Sequence, residues 1–542
     1  MKQLFTTFQV GAIRLKNLFI GCQMTAILLA AISTSHAQSP GGVTGAMVWL
    51  KANSGTGTTT NASAVTSWTS QPGAKNFIGT ATYYDDAANL ANWNPVVRFN
   101  GTNDVLINST VFGADPVNSN STFLAAKILG DATSLTSVLW GSSDANTSNN
   151  RLNVHLPNGG TIYYDMGNAV SGGRIAIPMA ASDYNTNNIW TFRTGTVAVP
   201  AFNHQIFRNG SSAAAGNGAI GAYSLEGKEL RIGSSISNTQ PWAGNLFETI
   251  VYEKDLTTLE RQQVETYLAI KYGKTLPFDY VTSDGSTVYS VAGYENNIAG
   301  VGRDDTSLLL QKQSQSSNPG DQVIMSLNGA PQATNAANAG AIGLDRRYII
   351  WGDNNLPGTS YASNLTNVND VFNRWWKVEN AGSISQAVTL LFPASAVSAY
   401  TSPRIVRNAT GSATSAATYP LVLTPITING VDYFSYATAW APGASYFTFG
   451  GCLPLPTPSA VVTQPTCSLA TGTITIDNPI TGQTYSFDNG ATYQASNIKS
   501  GLTPGVYQIM VKDGCGASVA TSVTVQAADC CTPAAGTITL NP

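Results

Sequence analysis

Between Val43 and Tyr272 the chain repeats one pattern, a short apolar run closed within a few residues by Gly, Asn or Ser. Val48-Trp49-Leu50, Val96-Val97-Arg98-Phe99, Phe123-Leu124-Ala125-Ala126, Leu230-Arg231-Ile232-Gly233 and Leu246 to Tyr252 are strand-sized and too short for helices. Asn209-Gly210, directly after Gln205 to Arg208, is the signal for a type I′ hairpin turn, since both central positions need positive φ. Strands at this spacing without intervening helical patterns predict an antiparallel sandwich rather than βαβ units.

One segment departs from the pattern. Thr257 and Glu260 set a capping box, Val264, Tyr267, Leu268 and Tyr272 recur at helical spacing, and Gly273 supplies the stop. A single amphipathic helix cannot bury its own stripe, so it is expected on the outside or rim of the sandwich.

The ends of the chain bound its setting. Lys2, Arg14 and Lys16 precede an apolar run from Leu18 to Ile32 that leads into Ser35-His36-Ala37, the layout of a secretory signal cleaved near Ala37. Phe19-Ile20-Gly21-Cys22 is a poor lipobox, because Phe19 is the wrong type and the apolar run continues past Cys22. No other stretch reaches the roughly 20 apolar residues of a bilayer crossing, so no membrane span is expected. The length suits about three or four domains. Charged residues make up 11% and the net charge is -3 without a basic block, which argues against nucleic acid or an anionic membrane surface as partner.

Only Cys22 lies before residue 452; the other five cysteines crowd into the C-terminal part, after the second β-rich block of residues 276–451. Their clustering marks a small module that needs a staple. It follows the Pro-rich spacer Leu453-Pro454-Leu455-Pro456-Thr457-Pro458. Cys467-Ser468-Leu469-Ala470-Thr471-Gly472-Thr473-Ile474-Thr475-Ile476 returns as Cys531-Thr532-Pro533-Ala534-Ala535-Gly536-Thr537-Ile538-Thr539-Leu540, a tandem repeat cut off at Pro542.

These residues carry a resemblance. Val48-Trp49-Leu50-Lys51-Ala52, Asn94 to Gly101, Phe207 to Gly210, Leu230 to Gly233, Phe247 to Tyr252 and Tyr267 to Gly273 together resemble the laminin G-like, concanavalin A-like jelly roll of large bacterial surface proteins. Ile298 to Asp305, Tyr348 to Asp353 and Arg374-Trp375-Trp376-Lys377-Val378 resemble a domain of unknown function that commonly follows it. Tyr485 to Gly490 and Gly505 to Cys515 look like the SprB-type, immunoglobulin-like repeats of bacterial gliding and surface adhesins, whose owners often use type IX secretion.

The expected architecture is therefore all-β: signal peptide 1–37, concanavalin A-like jelly roll with one C-terminal helix 41–275, β-rich domain 276–451, immunoglobulin-like repeat 452–530 and the start of a second repeat 531–542. Within the repeat Cys467 is expected to bridge Cys515, a staple worth about 3 to 4 kcal/mol. Cys452 and Cys530 are left as a further pairing, and Cys531 would find its partner in sequence beyond Pro542, where an anchoring domain would also lie.

The resemblance covers lectins and glycosidases alike, so chemistry has to be sought in the residues. Laminarinase-like members place acids at alternate positions of one strand, because retaining hydrolysis needs two carboxyls about 5 Å apart. Here Glu248 is followed on its face by Ile250 and Tyr252, while Glu253 points the other way. Asp85 and Asp86 would face opposite sides of a strand, and Glu226 and Glu229 flank a turn. The mature chain holds only His155 and His204, without a G-x-S-x-G elbow or H-E-x-x-H spacing, and the cysteines form no C-x-x-C pair. Calcium is the one ion the resemblance brings, with Asp104 and Asp165 as candidate ligands at strand ends beside the turn and capping roles such residues usually play. Trp68, Trp93, Trp190 and Trp242 sit among Ser, Thr, Asn or Gln and could stack on a sugar ring or fill a core.

The sequence thus predicts a non-catalytic surface adhesin that binds an extracellular glycan or surface protein through its jelly roll. A secreted glycosidase or its carbohydrate-binding accessory, and a purely structural stalk component, are the alternatives.

Overall fold

A computed structural model of the chain describes residues 38–530 apart from 72–74, 114–118, 131–132, 143–150, 168–171, 196–202, 218–224, 319 and 321. The signal segment 1–37 and the second repeat 531–542, with Cys531, lie outside the described residues.

The first part is a sandwich of two antiparallel sheets. One, with nine strands, runs in the order Ser211–Gly216, His204–Arg208, Asn187–Thr194, Asn120–Ile128, Ala243–Tyr252, Val96–Asn100, Thr82–Tyr84 and Ser63–Ala64, with Ala46–Lys51 also on Ala243–Tyr252. The other, with eight, runs Arg174–Pro178, Thr161–Gly167, Arg151–Asn158, Leu139–Ser142, Leu230–Ile232, Val105–Asn108, Asn76–Thr80 and Ser67–Thr69. Alternate residues meet between them, among them Val48, Leu50, Leu124, Leu152, Val154, Tyr164 and Trp190. In Ala243–Tyr252 the register shifts between Leu246 and Glu248. That bulge switches the alternation, so Leu246 and Val251 enter the same core although they differ in parity.

The chain's amphipathic segment forms helix α1, Thr258–Tyr272. Thr257 Oγ1 accepts from the Glu260 N–H at 3.2 Å, Glu260 Oε2 accepts from the Thr257 N–H at 2.9 Å, and Gly273 at φ 65 ends the helix. The helix lies on the outer face of the nine-stranded sheet, as expected, but it is not on a surface. Val264, Tyr267, Leu268 and Tyr272 pack with Trp49, Phe123 and Ile250 of the sheet and with Tyr280, Tyr289, Ile298 and Tyr348 of the following part. Burial on two sides explains why both apolar and polar helix residues are enclosed.

Residues beyond α1 build a second pair of sheets. Nine strands including Asn296–Asp304, Arg347–Asp353, Trp376–Ala381 and Gly443–Gly451 oppose five that include Ile324–Leu327, Val388–Pro393 and Val431–Thr438. Their core is aromatic, with Trp376 stacked on Phe447 at 5.4 Å and Phe392 on Phe449 at 3.7 Å.

The last described part has a three-stranded and a four-stranded sheet around a small core of Ile474, Ile476, Tyr485, Ile509 and Val525. Its cysteine pairing differs from the expected Cys467–Cys515 bridge. Cys452 joins Cys515 and Cys467 joins Cys530, which also replaces the suggested pairing of Cys452 with Cys530. Strand direction is the reason. Gly505–Asp513 leads to Cys515 at its far end, whereas its partner strand returns so that Val525 pairs with Gly505. Nine strand residues, roughly 30 Å, separate the two ends. Cys467 sits at the Cys530 end, where Gln464 Oε1 accepts from the Gln526 N–H at 2.7 Å. Cys515 instead meets Cys452, the residue after strand Gly443–Gly451 of the preceding sheet pair. Asn369 Nδ2 donates to Asp513 Oδ2 at 2.9 Å beside it.

Candidate functional site

The two sandwich sheets differ in what covers their outer faces. The nine-stranded sheet is capped by α1. There Glu248, fully buried, accepts from Trp49 Nε1, from the Tyr267 and Tyr272 hydroxyls and from Lys271 Nζ. The acid tested in the sequence as a catalytic candidate is therefore an internal strut of the helix seat.

The outer face of the eight-stranded sheet holds the chemically unusual group. In Arg151–Asn158 the residues Leu152, Val154 and Leu156 point into the core, which sends Arg151, Asn153 and His155 outward. In Thr161–Gly167 Ile162, Tyr164 and Met166 point inward, which sends out Tyr163 and Asp165. Gly159 and Gly160, both at positive φ, make the turn between these strands. Register then lines up one row across five strands. Arg231 pairs with Trp140, Trp140 with Asn153, Asn153 with Asp165 and Asp165 with Arg174. His155 and Tyr163 pair directly in the next row.

Outward residues of an antiparallel sheet are ordinarily wet. These are enclosed: Asn153 and Asp165 are 0% exposed, His155 3% and Trp140 4%. Arg174 clamps Asp165 through Nε and Nη2 at 2.5 and 2.7 Å, and Arg151 Nη1 approaches at 3.4 Å. Burial alone would raise the Asp165 carboxyl, but the hydrogen bonds and charge of Arg174 overcome it and hold it below the usual carboxylate range. Aromatic contacts knit the rest. His155 is edge-on to Trp140 at 5.9 Å and to Tyr163 at 6.1 Å, and the Arg174 guanidinium lies over the Tyr163 ring at 4.7 Å.

Three polar atoms in this group have no protein partner: Trp140 Nε1, Asn153 Nδ2 and His155 Nε2. The two on Asn153 and His155 are aimed by a bond at the other end of the side chain. Asn153 Oδ1 accepts from the Gly141 N–H at 3.2 Å, which turns the amide NH2 away. The His155 Nδ1–H donates to the Thr136 carbonyl at 2.8 Å, so Nε2 carries the lone pair in the neutral ring. That Nε2 lies 3.8 Å from Asp165 Oδ2, beyond hydrogen-bond reach. A buried polar group left unpaired costs about 1–3 kcal/mol. Two N–H donors and one acceptor at the same place form a set that hydroxyl groups can satisfy.

Both candidate calcium ligands, Asp165 and Asp104, are engaged by protein groups. Asp165 is held by guanidinium groups, whose charge repels a cation. Asp104 Oδ2 accepts from the Asn100 N–H at 3.0 Å and burial pushes its carboxyl up, the behaviour of a turn residue. Among the described residues no group of three or more His, Cys, Asp or Glu is placed to hold a metal. His204 is enclosed too, stacked on Tyr164 at 5.0 Å and bonded to Thr194 Oγ1 through Nδ1 at 2.6 Å.

Residues 260–437 match the model of a domain of unknown function (DUF8202). The match begins inside α1. No curated protein matches the chain. Among solved structures, domain 4 of an extracellular arabinanase from Geobacillus stearothermophilus, in complex with arabinotriose, aligns at 17% identity over 34% of this chain and 81% of its own, with a TM-score of 0.25. The IT-sialidase CBM40 of Ruminococcus gnavus aligns at 14% identity over 26% of this chain and 79% of its own, with a TM-score of 0.22. The binding domain of botulinum neurotoxin serotype D aligns at 10% identity over 89% and 93%, with a TM-score of 0.29. At such identities and scores the likeness assigns neither ligand nor chemistry to this chain.

Of the tryptophans considered as sugar platforms, Trp68, Trp190 and Trp242 are core residues of the sandwich. Trp93 is half-buried and lines a cleft. Trp140 was not among the candidates. The signal for it was present in Asn153-x-His155 and Tyr163-x-Asp165, two strands with polar residues at alternate positions, but only cross-strand register places Trp140 beside them.

Proposed function

We propose that the first sandwich is a non-catalytic glycan-binding head, with the ligand seated on the outer face of the eight-stranded sheet. The observation that supports this most is the trio of enclosed, unpartnered groups on Trp140, Asn153 and His155. Sugar hydroxyls donate and accept in turn, which suits two N–H donors beside one ring nitrogen, and the Trp140 and Tyr163 rings offer apolar edges and faces to the pyranose. The two further sheet pairs serve as spacers that display the head from an exported, adhesin-like surface protein. The laminin G-like and gliding-adhesin motifs of the sequence support that setting.

A glycan array with the chain from residue 38 onward tests the reading. Binding is expected, with Asn153→Ala and His155→Ala each weakening it about tenfold, the effect of one lost hydrogen bond to an enclosed group. Variants that bind as the parent does sink the assignment of this face, and silence across the array favours the stalk reading.

One observation favours a second reading, a glycan-cleaving enzyme. The His155 Nε2 lone pair, aimed by the bond from Nδ1–H to the Thr136 carbonyl, is the arrangement of an oriented base. Release of reducing ends or of unsaturated products from any bound polysaccharide, lost in His155→Ala, would establish it.

A further inference from the structure

Between strands Thr82–Tyr84 and Val96–Asn100 the chain makes a two-residue hairpin turn. Ala91 and Asn94 exchange both backbone hydrogen bonds at 2.9 Å, and the residues between them, Asn92 and Trp93, stand at φ 49 and 61. A turn with positive φ at both central positions takes Asn readily at the first and Gly at the second. Here a tryptophan occupies glycine's place. Left-handed backbone is unfavourable for a bulky side chain and persists where surrounding contacts over-determine it, as at ligand sites.

Asn92 supplies that constraint. Its amide donates to the Lys271 carbonyl at 3.1 Å and to Ser314 Oγ at 2.9 Å, and accepts from the Gln315 N–H at 3.0 Å. The turn is thereby pinned to the end of α1 and to the second sheet pair. Nothing in that pinning uses the indole. Trp93 packs against a small cluster formed by Ile324, Leu391 and Tyr433, and it also lines a cleft of about 480 Å3 between the two sheet pairs. The cleft's other walls carry the amides of Asn187, Gln315, Gln332 and Asn429, and no charged residue lines it among those described.

We propose that this cleft is a second ligand site, which takes a short neutral saccharide with its ring against Trp93. The volume falls within the roughly 300–1,000 Å3 of small-molecule sites. A half-buried indole offers the apolar face of a sugar its platform, and amides offer its hydroxyls both donors and acceptors. The absence of charge among the lining residues separates this site from the arginine-rich sheet face. The cleft therefore goes beyond the proposed head, and the two sites can fail independently.

The test is 19F NMR of the 5-fluorotryptophan-labelled chain, with Trp93→Phe identifying the Trp93 signal. Neutral trisaccharides of β-1,4-glucan, β-1,4-xylan, β-1,4-mannan and α-1,5-arabinan are titrated to millimolar concentration. The Trp93 signal is expected to shift and saturate with at least one. The shift should persist in Asn153→Ala and in about 1 M salt, where charges are screened beyond about 3 Å. Gln315→Ala, which retains Trp93 and the backbone N–H that pins the turn, should weaken it about fivefold to tenfold. A Trp93 signal that stays still with all four sugars, or a shift abolished by salt, overturns the proposal and leaves Trp93 as a wedge between the sheet pairs.

Discussion

Asp165 sets the electrostatics of the enclosed sheet face. Its clamp by Arg174 makes Asp165→Asn a loss of charge rather than of shape. With Arg174 38% exposed at the side chain and able to rehydrate, the expected cost is about 2 kcal/mol, below the usual figure for a broken buried pair. Because the folded carboxyl titrates below its ordinary 3.8, its stabilisation is present above that pH and is lost as pH falls further. Urea midpoints of variant and parent should accordingly differ at neutral pH and converge in strong acid. His204 gives a complementary test. Burial lowers it from 6.5 to about 4, so the unfolded chain binds a proton that the folded one refuses between those values, and stability falls as pH drops through that window. The slope is on the order of 3 kcal/mol in total. His204→Gln should flatten it, and an unchanged slope would sink the assignment. The sequence displayed Asp165 and His155 as separate strand residues. What it could not display was register, which decides that Asn153 stands between Asp165 and Trp140.

At the scale of elements, α1 was legible in its ends and illegible in its surroundings. Thr257, Glu260 and Gly273 announce start and stop through local hydrogen bonds and backbone conformation, which depend on near neighbours only. Thr257→Ala should cost about 1 kcal/mol in thermal unfolding. Gly273→Ala should cost more than about 1 kcal/mol, since an added Cβ at φ 65 would stand 2.2 Å from the Gln315 carbonyl oxygen. The helix's apolar stripe understates its burial, because polar residues on the remaining faces are satisfied at a distance. Glu265 meets Thr191 at 2.7 Å and pairs with Arg261, and Lys271 reaches Glu248 at 2.8 Å. Thr191 and Glu248 lie far from the helix in sequence, so a pattern of periods could not reveal a helix wedged between two sheet pairs. The all-β class was readable for the opposite reason, since short runs and turn residues record strand length locally.

At the scale of the whole molecule, the clustered cysteines announced a stapled module without saying which ends the staples join. Cys452–Cys515 ties the last module to the strand before it, so removing this bridge in Cys452→Ser/Cys515→Ser should broaden the distance distribution between the modules in solution scattering while the melting of the first two sheet pairs stays put. Cys467–Cys530 has a mechanical consequence. The two sulfurs close a loop that holds every described strand of the module except Ala460–Thr463. A pull applied beyond residue 530 crosses from Cys530 to Cys467 and runs back to Cys452 through Ala460–Thr463, the one described strand of the module that it loads. In single-molecule stretching the oxidised module should lengthen at most by the detachment of that strand, whereas reduction should add the 63 residues between Cys467 and Cys530, roughly 220 Å of contour. Most of the module's small core would thus be a part that tension does not reach.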